Sequence, residues 1–224
     1  MRSNSIPALV SDAYGTFIAR PYSPHYKRLV TAFSLKKDPD IARRYANFME
    51  DYEEAFPERK EPRTQREWEL VRFFQESTGT PNFLSHRSAR MLYNRIRQSG
   101  MGFVILSPAS SEQSERVYDN FGMSVSEAYS FDMDTGSNPP STFLSARETM
   151  RESGFEPVAY LTDDLDLVMA SAISWGKGLR CGTQMKNDGY FDLKQGDEVK
   201  GRILGFNWEN VPFETEKILR FLKE

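Results

Sequence analysis

The chain opens with a short apolar run, Ile6, Ala8, Leu9 and Val10, that breaks off at Asp12-Ala-Tyr-Gly15-Thr16. Its length and character predict a buried strand, and Gly15 lets the chain turn as it leaves. Asp12 then stands at the strand's carboxyl end, where open α/β sheets place their ligands. Residues 23 to 99 show no convincing strand and read as helices. Asp38-Pro39 has the form of an N-cap followed by proline, and Tyr45, Phe48, Met49, Tyr52 and Phe56 follow at helical spacing up to the stop at Phe56-Pro57. Thr64 to Glu67 is a capping box opening a helix with Trp68, Val71 and Phe74. A third helix starts near Ser85 or Ser88, presents Ala89, Leu92, Tyr93 and Ile96, and stops at Gly100. Together the three amphipathic helices read as a lid.

From Gly102 onward, short apolar runs alternate with helical patterns, as in βαβ units. Phe103 to Leu106 is a strand. Ser110-Ser-Glu-Gln113 caps a helix running through Val117 toward Phe121, and Asn138-Pro139 opens another that ends near Gly154. Val158 to Leu161 is a strand leading into Thr162-Asp-Asp-Leu-Asp166, followed by a helix toward Trp175. Residues 183 to 210 carry a turn signal at Asn187-Asp-Gly189, which suggests a small hairpin. Phe213 to Leu222 closes the chain as a helix. The pattern predicts an α/β domain with a helical insertion.

A chain of 224 residues can bury a proper core without disulfides. The single Cys181 has no partner for an internal bridge and points to a reducing, cytoplasmic setting. The 29 Lys and Arg against 32 Asp and Glu leave a net charge of -3, which offers no footprint for nucleic acid or an anionic membrane. No apolar stretch approaches the roughly 18 residues of a membrane span, and the start MRSNSIP lacks the apolar centre of a signal peptide. A small-molecule substrate is the expectation that remains.

Three strand ends carry polar groups toward one rim: Asp12 with Thr16, Ser107 with Ser110 and Ser111, and the trio Asp163, Asp164 and Asp166. The helix after Ser107 offers free N–H groups to an anion, while Ser110 also suits a plain cap. The acidic trio suits either a hard cation or the cap of the following helix. His25 and His86 lack the partner spacing of a metal site or triad, and Cys181 reads as a buried strand residue.

The strand ending in DAYGT, the strand ending in Leu106-Ser107 and the late strand ending in an acidic loop, in this order, resemble the haloacid dehalogenase (HAD) superfamily over nearly the whole chain. The resemblance implies a Rossmann-like, doubly wound parallel sheet built from 1–20 and 101–224, with an inserted α-helical cap at 21–100. It implies Asp12 as the nucleophile that forms a covalent aspartyl intermediate, ionised at neutral pH without tuning. Thr16 and Ser107 would hold the transferred group, with Tyr14, Gly15 and Ser110 around it. Magnesium would be held by Asp12, the Tyr14 carbonyl, Asp163 and Asp164, and would offset repulsion between the nucleophile and a small anionic substrate.

Two departures bear on the reaction. Phosphatase members carry a second aspartate two residues after the nucleophile, where this chain has Tyr14. DAYGT instead resembles the dehalogenase branch, in which a departing halide needs no proton; that branch needs no metal and places a halide-facing arginine where Arg43 stands. Members also carry a lysine or arginine before the helix at 139–152, where Ser137 or Asn138 falls; Arg147 or Lys177 would have to replace it. The first expectation is a magnesium-dependent phosphatase acting on a small phosphate monoester. A 2-haloacid dehalogenase-like hydrolase and a catalytically impaired binding protein are the alternatives.

Overall fold

The computed structural model describes residues 5–58, 61–131, 139–182 and 189–224. Seven strands form one sheet: β1 (Ile6–Ser11), β2 (Gly102–Ser107), β3 (Glu127–Ser130), β4 (Phe155–Thr162), β5 (Lys177–Gly182), β6 (Gly189–Gln195) and β7 (Glu198–Asn207), in the order β3-β2-β1-β4-β5-β7-β6. All pairings are parallel except β6 with β7. The motif-bearing strands β2, β1 and β4 are neighbours, with Ser11 opposite both Ile105 and Leu161. Their carboxyl ends therefore open onto one rim.

β1 and β2 are apolar on both faces because helices cover both. Leu9, Phe103 and Ile105 join a core with Val117, Tyr118 and Ile218, whereas Ala8, Val10, Val104 and Leu106 join Phe143, Met150, Leu167 and Trp175 on the other side. The second face is supplied by α6 (Pro139–Glu152) and α7 (Leu165–Trp175). There Phe143 meets Tyr160 and Trp175 edge-on at 4.9 and 5.0 Å, and the indole N–H of Trp175 donates to the Phe143 carbonyl at 2.8 Å. The other face takes α4 (Ala89–Gln98), α5 (Ser111–Asp119) and α8 (Val211–Lys223).

Two glycines let α7 settle directly on the sheet. A Cβ on Gly201 of β7 would lie 2.2 Å from the Ala172 carbonyl oxygen, and one on Gly178 of β5 would lie 2.6 Å from Val168. Real Cβ atoms do not approach this closely, so only hydrogen fits.

The insertion contains α1 (Pro24–Lys36), α2 (Ile41–Ala55) and α3 (Gln65–Thr78), packed in sequence on one another. α1 is a helix beyond the three read from the sequence. Ser23 caps it by accepting from the Tyr26 N–H at 3.1 Å, and Pro24 occupies its first turn. The last helix expected in the lid, α4, instead packs against β2 and α8. Asp38 caps a turn ahead of α2, accepting from the Asp40 N–H at 3.0 Å, so the helix starts at Ile41 rather than at Pro39. The Thr64–Glu67 capping box is present, and Trp68 and Val71 are buried behind it.

The hairpin lies later than expected. β6 and β7 turn at Gly196-Asp197, and Gly189 opens β6; Asn187 and Asp188 lie outside the described residues. No helix among the described residues is long and apolar enough to cross a membrane.

Candidate active site

Asp12 lies one residue beyond β1, and its N–H extends the ladder by donating to the Leu161 carbonyl at 3.1 Å. Its own carbonyl accepts from the Tyr118 hydroxyl at 3.0 Å. With the backbone fixed on both sides, the carboxylate is held in a buried position, 7% exposed. Burial pushes its pKa up to about 7, opposed by the nearby Arg20 guanidinium; Asp163 adds to the rise, and hydrogen bonds from the Ser107 hydroxyl and the Ala13 N–H oppose it. Desolvation by the surrounding core, a tertiary effect that the motif does not carry, thus works against the ionised form expected at neutral pH.

Ser107, at the end of β2, accepts from the Ala109 N–H at 3.3 Å, and its hydroxyl lies near enough to the Asp12 carboxylate to favour the ionised form. Thr16 was expected to face the substrate, but its hydroxyl is buried toward the Leu161 carbonyl, at 3.5 Å, and the Cys181 thiol. Ser110 caps α5, accepting from the Gln113 N–H at 3.2 Å, and does not line the cavity at Asp12. Tyr14 is buried, its ring stacked on Trp68 at 4.8 Å, and its hydroxyl accepts from the Gln113 side-chain amide at 3.3 Å. Burial pushes the phenol up to about 12.

The cation at this site is Arg20, which the sequence reading passed over. Its Nη2 donates to Asp163 Oδ1 at 2.7 Å, and its Nη1 pairs with Glu61 from the segment between α2 and α3. One guanidinium therefore ties the end of β4 to the helical insertion, with Asp12 in its field. Gly15 makes this possible. Its φ is +86°, and a Cβ there would lie 2.3 Å from Arg20 Nε and 2.6 Å from Asp163 Oδ1. A signal was present in the sequence: Arg20 is the first charge after Asp12, following a seven-residue run from Ala13 to Ala19 that contains none.

The cations considered from the sequence lie elsewhere. Arg147 pairs with Glu156 at 2.6 Å, and Lys177 reaches the Leu222 carbonyl at 3.5 Å over the Phe221 ring. Arg43, which stands where the dehalogenase branch places a halide-facing arginine and also reads as half of an exposed charged pair with Arg44, is a solvent-exposed residue of α2 whose ion-pair partner is Asp40, at 3.5 Å. Its position on the outer side of an amphipathic helix suits the exposed pair and not the halide-facing role. Ser137 and Asn138 lie outside the described residues. His25 Nε2 bonds the Ser85 carbonyl at 2.9 Å, and the buried Cys181 thiol is pushed up by desolvation.

Among the expected magnesium donors, Asp164 is the N-cap of α7, and its Oδ1 accepts from the N–H groups of Asp166, at 2.8 Å, and Leu167, at 3.1 Å. Asp166 is exposed. Asp163 is engaged by Arg20, and burial raises its pKa against that pairing. No group of three His, Cys, Asp or Glu side chains among the described residues is arranged to hold a metal. As arranged, Asp163 is taken up by a guanidinium and Asp164 by a helix terminus.

A cavity of about 30 Å³ opens beside Asp12, which lines it with Arg20, Tyr22, Glu61, Arg63 and Trp68, among others. That space admits a water molecule or the reacting end of a small substrate. The site thus combines a buried carboxylate with a fixed cation and a serine hydroxyl donor, under a lid of aromatic rings.

No family model and no curated protein matches this chain. Among solved structures, it is similar to a HAD phosphatase from Thermococcus onnurineus, with a TM-score of 0.53 at 14% identity over 96% of this chain and 98% of that one. It is also similar to a HAD-superfamily hydrolase from Ehrlichia chaffeensis, with a TM-score of 0.50 at 13% identity over 96% and 98% of the two chains. An L-2-haloacid dehalogenase aligns with a TM-score of 0.50 at 14% identity over 98% of this chain and all of that one, 100%. At these identities the likeness is one of fold, and the fold is shared by a phosphatase and a dehalogenase alike.

Proposed function

We propose that this chain, whose fold is that of the haloacid dehalogenase-like hydrolases, is itself a hydrolase that attacks a small anionic substrate at carbon through Asp12, without a metal ion. The observation that carries the reading is Arg20, standing among Asp12, Asp163 and Glu61. A fixed cation beside the nucleophile offsets the repulsion an incoming anion meets, and such preorganised charge is worth several kcal/mol in a water-poor site. It does the work that a lysine before α6 does in relatives.

In the first half of the reaction an Asp12 oxygen forms a bond to the electrophilic carbon, and the halide leaves with the bonding pair. No proton is required at that step. This suits Tyr14, whose phenol is held by Gln113 and pushed up to about 12. Trp68, Tyr22 and the Tyr14 ring give the cavity an apolar wall for the substrate's carbon. Water then hydrolyses the aspartyl ester and frees the hydroxy acid. A 2-haloacid is the substrate class that fits, and the lone reduced Cys181 suits a cytoplasmic setting.

The magnesium-dependent phosphatase remains the second reading, favoured by Asp163 and Asp164 at the end of β4. It requires Arg20 to give up Asp163.

The test is a paired assay: halide release from 2-chloropropionate, and phosphate release from p-nitrophenyl phosphate, each with a chelator and with added magnesium. Chelator-resistant halide release that vanishes in Asp12→Asn is expected. Magnesium-dependent phosphate release would reverse the ranking, and an Asp12→Asn variant as active as the parent would remove the nucleophile.

A further inference from the structure

We infer that Glu61 is the general base that activates water in the second half of this reaction. The inference rests on the reading of Asp12 as the nucleophile and adds a residue that no motif of the chain marks.

The ester formed on Asp12 must be opened by water, and water at neutral pH needs a base. The residue two places after the nucleophile cannot supply one, because Tyr14 is stacked on Trp68 with its hydroxyl turned to Gln113. Four carboxylates lie near the reacting carbon. Asp12 is itself esterified at this stage. Asp163, held by Arg20 Nη2, does not line the cavity beside Asp12, and Asp164 is spent on the N-terminus of α7.

Glu61 is the carboxylate that remains. It lines the same small cavity as Asp12, and Arg20 engages its Oε2, while its Oε1 has no partner among the described residues. The cavity volume of about 30 Å³ is that of a site for a water molecule. The base thus arrives from the helical insertion, and the guanidinium that neutralises the nucleophile also aims it.

The step balances as follows. The water oxygen bonds to the Asp12 carboxyl carbon as one of its protons passes to Glu61 Oε1. The tetrahedral adduct collapses, the bond to the substrate oxygen breaks, and the departing alkoxide takes the proton back from Glu61. Asp12 is left as a carboxylic acid that returns its proton to solvent.

Rapid-quench halide measurement with 2-chloropropionate, combined with intact-protein mass, tests this in the full chain. Glu61→Gln should release about one equivalent of halide in a burst, then turn over about 100-fold more slowly, and accumulate a covalent adduct on the peptide carrying Asp12. Glu61→Asp should restore part of the turnover and diminish the adduct. Loss of the burst together with turnover would overturn the proposal, since Glu61 would then merely hold Arg20. Parental turnover with no adduct would also overturn it. Failure of the underlying reading looks different: the unmodified protein would give no burst, or Asp12→Asn would still form the adduct.

Discussion

Replacing Asp12 with asparagine should make the protein more stable toward alkaline pH while abolishing its chemistry. In the unfolded chain the carboxyl titrates near 3.8; in the folded protein burial holds it at about 7. Between those values the unfolded state has released a proton that the native state still carries, so rising pH favours unfolding. The cost is absent below about pH 3.8 and complete above about pH 7. At about 1.4 kcal/mol for each pH unit, the full interval amounts to about 4 kcal/mol, of which about 3 falls between pH 5 and pH 8. Asparagine does not titrate and keeps the side chain's size. Urea unfolding of both proteins at a series of pH values measures the difference directly. With a slope of about 3 kcal/mol per molar urea for a chain of this length, the gap between midpoints should widen by about 1 M from pH 5 to pH 8. A gap that stays constant, or widens toward acid, would refute the reasoning and show that the buried carboxylate is not paying a desolvation cost.

The same titration should appear in kinetics: kcat/KM should rise with pH to a plateau, with its midpoint at about 7, because the ionised form attacks. Arg20→Met removes the main influence holding that value down, so the midpoint should move up by about one pH unit and the plateau fall by about 100-fold; an unchanged midpoint would disconnect Arg20 from Asp12. Gly15→Ala puts a methyl group on the Arg20–Asp163 contact at a positive φ, and should cost about 1–3 kcal/mol in thermal or urea unfolding along with most activity. Thr64→Ala removes one arm of the α3 capping box and should cost about 1 kcal/mol of stability with parental kcat.

Much of the scaffold was legible because β1, β2 and β4 are covered on both faces and therefore read as unbroken apolar runs. Their order and the polar residues at their ends sufficed to expect one rim. α1 was missed although Ser23-Pro24 and the spacing of Tyr26, Val30 and Ser34 carry a helical start and face. Local turn chemistry could not rank Asn187-Gly189 against Gly196-Asp197, since both permit a hairpin and only the pairing of β6 with β7 selects one. At the site, the sequence offered two uses for Asp164 and the fold employs it as a cap. Arg20 escaped notice because it belongs to no motif: its role arises from where the chain turns after Ile18, whose bridge to Leu84 brings the ends of the insertion together. The elevated affinity of Asp12 for its proton was likewise invisible, since it comes from burial by elements distant in the chain and from the carboxylate of Asp163.

The bare backbones at Gly178 and Gly201 have a bearing on the far end of α7. Because the helix rests on main chain at two points, its height above the sheet is set by atoms that have no rotamers to adjust. The Asp163 loop is the lip of that helix, so its carboxylate inherits a stiffness of mounting that side-chain packing alone would not give. Any swelling at the seat, even by one methyl group, would be transmitted along the axis as a tilt of the acidic loop away from Arg20, and would be felt at Asp12 without touching it.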